Sequence, residues 1–320
     1  MAVLALLWGS SFLWTKLALR HGLSPLQVTA LRSVLGAAVL LLLARAARQR
    51  LPRGGRTWFR LVVAALLCNT LPFFLAAQGV QTVDSGLAGV LNATTPLWSL
   101  AIGIALGTER GRRPLRLGGL LLGFAGVLLI FSPWQGSGAA ASGGTFGWGA
   151  LALLGAAASY AVAFAYMGRV LADTGTEALA LSAAQLSAAA GLSALALPAD
   201  SGTTAGLNLQ ALAAVTVLGV FCTGLTFHLN YRLIATEGAT SAATVGYLLP
   251  VVSTALGALV LGEPLGLRTV TGMVVVLAGV FLTRGRCERP STGNSPAASE
   301  PVATADRRAA RKAPRSLRQN

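Results

Sequence analysis

Cys68-Asn69-Thr70-Leu71-Pro72-Phe73-Phe74-Leu75 returns later in the chain as Cys222-Thr223-Gly224-Leu225-Thr226-Phe227-His228-Leu229. Cys, Leu, Phe and Leu hold the same places in both stretches, and the match continues without a gap. Pro96, Ser99, Ala101, Gly103 and Glu109 reappear as Pro250, Ser253, Ala255, Gly257 and Glu263. One extra residue in the first copy's loop then shifts the register, so that Gly119 and Gly126 correspond to Gly272 and Gly279. The chain contains itself twice. In membrane proteins, internal repetition marks a molecule built from two related halves around a central site.

Composition places the chain in the bilayer. With 54% hydrophobic and 11% charged residues in 320, there is too little polar surface to cover a soluble globule. A formal charge of +15 would point to nucleic acid in a soluble protein. Here the basic residues sit beside apolar stretches and in the tail, so topology accounts for them and nucleic acid is not an expected partner. Cys68, Cys222 and Cys287 are too few and too scattered for a disulfide framework; the first two read as small core residues or as equivalent cavity-lining places. Met1 is followed directly by apolar residues without a basic lead or a clear cleavage site, so the first segment is expected to stay as a membrane helix.

A bilayer core about 30 Å thick takes roughly 20 apolar residues per helix. Such stretches fall near 2–19, 25–44, 58–80, 84–107, 115–132, 147–169, 178–197, 210–232, 239–261 and 266–283. The third to fifth match the eighth to tenth, so the repeating unit is five helices. An odd unit inverts its second copy across the membrane. The expected fold is an all-α integral membrane protein with ten transmembrane helices in two inverted five-helix repeats. The first repeat covers 1–132 and the second 147–284; 133–146 form a Gly, Ser and Ala linker, and 285–320 a disordered, basic, cytoplasmic tail. The match is weakest between the first and sixth helices, where Trp8-Gly9-Ser10-Ser11 finds only Ser159-Tyr160 as an echo.

Basic residues set the orientation. Arg45, Arg48, Arg50, Arg53, Arg56 and Arg60 follow the second span, and Arg110, Arg112, Arg113 and Arg116 follow the fourth. With Arg169, Arg232, Arg284 and eight residues of the tail, 21 of the 25 Lys and Arg lie on one side, against Arg20 and Arg268 on the other. The positive-inside rule then puts both termini in the cytoplasm.

Charges inside the spans are costly and usually face a cavity or a partner. Lys16 lies a turn from the outer end of the first helix, where it can face a cavity or snorkel to the interface. Arg32 lies about two turns into the second helix; its planar fork of donors suits helix-end carbonyls or a carboxylate. Asn69, Gln78, Asn92, Tyr160, Tyr166, Asn230 and Tyr247 are each suited to an interhelical hydrogen bond, and as a set to a moderately polar cavity. Gln81, Ser159, Gln185, Thr223 and Tyr231 extend the same group. His228 is the one histidine within an expected span, a neighbour-bonding residue or a proton carrier. Pro96 and Pro250 share a repeat position about twelve residues into the fourth and ninth helices, as static kinks or as hinges. Glu109 and Glu263 follow at helix ends, where an anion favours the start of the next helix.

The motifs resemble the drug/metabolite transporter superfamily, and within it the EamA-like family of ten-helix proteins with two EamA repeats. The resemblance rests on Trp8-Gly9-Ser10-Ser11-Phe12 followed by Lys16, on Ala30-Leu31-Arg32, and on the twice-used order Pro96, Gly103, Glu109, Gly119, Gly126 and Pro250, Gly257, Glu263, Gly272, Gly279. It implies a plasma-membrane carrier, commonly an exporter of amino acids or other small metabolites, with a central cavity between the halves. Ala165 falls near the place where the second copy would need an equivalent of Lys16.

The expected function is secondary transport of a small metabolite or drug-like solute by alternating access. The partners are that solute and the lipid bilayer; no cofactor or metal is called for, and proton coupling and a homodimer stay open. A membrane-embedded enzyme would want a metal cluster or paired intramembrane aspartates, which two histidines and the placement of the acids do not supply. A membrane scaffold or sensor explains the basic tail better than it explains an inverted ten-helix body.

Overall fold

The computed structural model describes residues 2–105, 114–131, 147–171, 176–200, 208–237, 245–261 and 266–284. The linker 133–146, the tail 285–320, Glu109, Glu263 and the side chain of Tyr247 lie outside the described residues.

Helices α1 (Ala2–Arg20) and α2 (Pro25–Ala46) are the first two spans. The turn between them is set by Ser24, whose hydroxyl accepts the Gln27 backbone N–H while the Gln27 side chain accepts the Ser24 N–H; Pro25 opens α2 where no N–H is needed. The third span is α3 (Gly55–Ala65), a π turn (Leu66–Thr70) and α4 (Leu71–Thr82). The fourth is α5 (Ser85–Asn92) and α6 (Thr95–Ala105), and the fifth is α7 (Pro114–Phe131). In the second half come α8 (Trp148–Val170), α9 (Ala178–Ala196), then α10 (Leu209–Gly219) with a π turn (Val220–Leu225) and α11 (Thr226–Glu237). A 3-10 turn (Val245–Leu248) leads into α12 (Leu249–Leu261), and α13 (Leu267–Arg284) is last. Among the described residues no strand occurs, and six spans are long and apolar enough to cross a membrane unaided. The other four expected spans fall on α5–α6, α7, α12 and α13. The protein is an all-α membrane protein of ten spans in two inverted five-helix repeats.

The fourth span is broken where the sequence suggests one helix. Pro96 is the second residue of α6 and Pro250 the second of α12, positions where a missing N–H has no helical partner to lose. Each proline therefore opens a new segment instead of bending a continuous one. The carbonyl of Asn92, four residues before Pro96, is met by the Thr95 hydroxyl at 2.6 Å, and that of Leu91 by the Thr94 hydroxyl at 2.7 Å. Backbone freed at membrane depth is thus re-satisfied by side chains.

The two π turns occupy equivalent positions in the two copies, a feature the apolar pattern does not announce. In the first, Pro72 has no N–H for the Cys68 carbonyl. In the second, the hydroxyls of Thr223 and Thr226 each reach back five residues, to Leu218 at 2.8 Å and Phe221 at 3.0 Å. Different residues support the same local widening, which in membrane and soluble helices alike tends to fall at functional sites.

Contacts between halves come in matched pairs. α2 lies on α9, the second span on the seventh, and α7 lies on α13, the fifth on the tenth. α1 packs on α10 and α12, and its counterpart α8 packs on α4 and α6. Such exchange of roles is what an approximate two-fold axis between inverted repeats requires. Side chains at the helix ends keep to two sides: Lys16 Nζ meets Asp84 Oδ1 at 3.0 Å and Ser24 bonds Asp200, while Gln49 meets Glu177 at 3.3 Å at the opposite end of α2. Leu42, Phe59, Trp148, Leu195, Leu209 and Leu259 are exposed on the outer surface, as lipid-facing side chains should be.

Candidate functional site

The break in the fourth span meets the 3-10 turn that opens α12. Gly246, in the turn before α12, presents its backbone to Pro96, and a methyl group added at Gly246 would sit in ordinary contact, 3.7 Å from the Pro96 ring. Around this point Trp8, Asn92, Thr95, Tyr160, Phe164, Gly246 and Leu249 line a cavity of about 10 Å³, the space of about one water molecule. Trp8 packs edge-on to Tyr160 at 5.6 Å and to Phe164 at 6.0 Å, and Tyr160 stacks on Phe164 at 6.1 Å. The two stretches that echo each other weakly in the sequence, Trp8 to Ser11 and Ser159-Tyr160, thus touch in space through Trp8 and Tyr160. An aromatic box with Asn92 and a threonine at its break suits a solute with an apolar body and a few polar groups.

Beside it runs a polar layer made by the π turns. Arg32 of α2 donates from Nε to the Thr223 hydroxyl at 3.1 Å, and its guanidinium carbon lies 3.7 Å from the centre of the Phe73 ring. On the other side Gln185 of α9 donates from Nε2 to Asn69 Oδ1 at 2.6 Å and accepts from the Tyr231 hydroxyl. Asn69 and Thr223 are repeat equivalents, each reached by a side chain from the second helix of the opposite half. Phe73 and Phe227, also equivalents, meet edge to face at 5.9 Å. Sequence reading finds no ionisable counterpart for Arg32; its structural counterpart is the neutral Gln185.

The other candidates are dispersed. Lys16, with a mostly buried side chain, pairs with the exposed carboxylate of Asp84 at the start of the fourth span, so it neither snorkels alone nor lines the aromatic box. Asn69, Asn92, Tyr160 and Asn230 are buried; Gln78, Tyr166 and His228 are half-buried. Both side-chain polar atoms of Asn230, the Nδ2 of Asn69 and the Nδ1 of His228 are buried without a hydrogen-bond partner. Buried amides of this kind are uncommon and mark places where a water or a ligand completes the bonding. Trp8, Thr95, Phe164 and Gly246 belong to the box although polarity alone did not select them. The signal available for Thr95 was its place directly before a proline.

A helical bundle of two inverted halves with a small polar and aromatic site between them is an arrangement found in membrane transporters. The sequence matches the EamA-like transporter family over residues 1–132 and 147–285, and the chain belongs to that family. It is 25% identical over 285 residues to the "Uncharacterized transporter YvbV" of Bacillus subtilis (strain 168), covering 88% of this chain and 89% of that one. It is 26% identical over 284 residues to the "Uncharacterized inner membrane transporter YedA" of Escherichia coli (strain K12), with 88% and 89% covered. A third relative is the "WAT1-related protein At3g02690, chloroplastic" of Arabidopsis thaliana, 27% identical, with 86% of this chain and 66% of that chain covered. A solved crystal structure with 21% identity superposes with a TM-score of 0.67 over 88% of this chain and 94% of its own, and shares the fold.

Proposed function

We propose that the protein exports a small metabolite, an amino acid or related compound or a drug-like solute of similar size, across the plasma membrane by alternating access. The observation that carries this reading is the aromatic box: it lies where the break in the fourth span meets the turn that opens α12, and it has room for about one water molecule. A site placed on the seam between inverted halves opens to either side as the halves rock, and the new helical segments that open at Pro96 and Pro250 give that seam parts able to move. Lys16 and Asp84 tie α1 to the connection before α5 on the outer side and suit a contact that parts when the outer mouth opens. Purified protein in liposomes is expected to catalyse counterflow of members of a broad metabolite panel, and cells lacking it should release less of the same compounds. Failure of the whole panel with monodisperse protein would remove transport as the function.

Both termini are placed in the cytoplasm by the charge asymmetry. A C-terminal fusion to a reporter active only in the cytoplasm should be active; a silent, well-expressed fusion would reverse the orientation. Coupling to protons is assigned to His228, whose Nδ1 is buried without a partner. An imposed pH gradient should change flux in the native protein and not in His228→Gln, and flux indifferent to the gradient would remove the coupling.

A further inference from the structure

Arg45, Arg48, Arg50, Arg53, Arg56 and Arg60 stand on one short segment between the second and third spans, and no acid lies among them. Among the described residues none of the six side chains meets a carboxylate or makes a hydrogen bond. The segment is nevertheless held against the bundle. Leu51 and Trp58 pack on the core, Pro52 is buried, and Trp58 donates from Nε1 to the Pro52 carbonyl at 3.1 Å. Gly54, at φ 113°, makes the bend into α3 that a side chain would oppose. A methyl group added at Gly54 or Gly55 would have nothing within 4 Å, so the space beside the bend is open.

Helix α3 has two unlike faces. Leu61, Ala64 and Ala65 are buried against the bundle. Arg56, Phe59, Arg60, Val63 and Leu66 follow one another at steps of three, one, three and three, and so share the opposite face. Phe59 is 69% exposed and Leu66 45%, so this face meets lipid tails; Arg56 is exposed and Arg60 half-buried at its charged end. Helical side chains lean toward the N-terminus, which in α3 is the end at the membrane surface. The Arg60 stem therefore runs along apolar surface while its guanidinium reaches headgroup level beside that of Arg56. Membrane orientation needs positive charge anywhere in this segment. It does not need two guanidinium forks on the one face of α3 whose next turns are bare to lipid.

We propose that the start of the third span binds an anionic phospholipid, its phosphate held between Arg56 and Arg60 and an acyl chain laid along Phe59, Val63 and Leu66. The unesterified oxygens of a phosphate diester match the planar donor fork of arginine. A zwitterionic headgroup offers the same phosphate, but its ammonium opposes the two arginines, so the site selects net negative charge. Phe59 and Leu66 assign it to a lipid, since a soluble acidic partner would leave that apolar face unused. Helix α3 runs directly into the first π turn, so bound lipid steadies the segment that presents Asn69. The site stands apart from the transport reading and from the identity of the solute.

The test is lipid binding to the purified full-length protein in detergent, counted by native mass spectrometry, with the thermal midpoint as a second readout. The probes are phosphatidylglycerol and phosphatidylcholine with the same acyl chains. Wild type is expected to hold the anionic lipid about 30-fold more tightly, from about fivefold for each of two arginines. Arg56→Gln combined with Arg60→Gln should lose most of that preference. Arg48→Gln combined with Arg50→Gln removes the same charge from outside α3 and should leave the preference within about threefold of wild type, because at 0.15 M salt exposed charges out of contact are largely screened. Where the first pair fails to give monodisperse protein, Arg56→Gln alone decides, with a loss of about fivefold expected. Equal binding of the two lipids overturns the proposal, as does an equal loss in the two double variants. So does inorganic phosphate that raises the midpoint as far as phosphatidylglycerol does, since a free anion would then suffice. No flux is measured, so neither outcome bears on transport.

Discussion

Gly279→Leu is expected to separate the fifth and tenth spans and to leave little folded protein. A Cβ on Gly279 would lie 2.5 Å from the Gly123 nitrogen and 2.7 Å from both the Gly119 carbonyl oxygen and the Gly123 Cα. These are backbone atoms of α7, so no rotamer change relieves the clash, and the helices have to part. In lipid this contact is held by close packing of small residues, because lipid tails are as apolar as the side chains and supply no hydrophobic drive. Overpacking a well-packed interior costs about 1–3 kcal/mol where side chains can adjust. Gly279→Ala should therefore lose at least this much, and leucine more. Gly191 in α9 has nothing within 4 Å of the same position, so Gly191→Ala is expected to be neutral or stabilising by up to about 1 kcal/mol. Thermal midpoints of the three variants in one detergent check the contrast. A midpoint for Gly279→Ala equal to that of wild type would mean that α7 and α13 do not meet as described.

The second large effect is expected at Gln185. Gln185→Leu strips the Tyr231 hydroxyl and Asn69 Oδ1 of their shared partner in a site where Asn69 Nδ2 already lacks one. Leaving buried polar groups unpaired costs about 1–3 kcal/mol each in water-soluble proteins, and single interhelical bonds in membranes average about 0.6 kcal/mol. A total loss near 2 kcal/mol is expected on these grounds, with reduced flux, because the bridge joins the second helix of one half to the π turn of the other. Asn69→Leu combined with Gln185→Leu should cost clearly less than the sum of the singles, since apolar replacement of both partners removes the need for pairing. Strict additivity in a double-mutant cycle would show that the two amides do not interact.

The architecture was legible because repetition and hydropathy are both sequence-local. Ten apolar stretches of the right length, an odd repeat unit and the shared Pro, Gly and Glu order lead directly to an inverted pair. The breaks at Thr94 and Gly246 were not legible as breaks. An apolar run around a proline reads equally as a kinked helix or as two segments, and in the fourth span it is the threonine hydroxyls on the Leu91 and Asn92 carbonyls that mark the second case. The π turns were hidden because one extra residue in a turn does not disturb an apolar pattern that is buried on most sides. Lys16 was read as facing a cavity or the interface; its partner Asp84 lies 68 positions on, beyond any local signal. Arg32 and Gln185 stood out as polar residues in spans. Their roles as paired bridges onto Asn69 and Thr223 depend on the two-fold relation of the halves, which becomes visible when α2 is seen against the second π turn and α9 against the first.

The most direct test of a central site shared by two rocking halves is its accessibility from each side of the membrane. Gly246→Cys, in a chain whose Cys68, Cys222 and Cys287 are replaced by alanine, places a thiol in the aromatic box where a side chain fits without a clash. Right-side-out and inside-out vesicles are treated with a membrane-impermeant thiol reagent, with and without transported solute. Labelling from both sides, in proportions that shift in opposite directions when solute is added, is the expected result. Labelling confined to one side under every condition would rule out alternating access at this site.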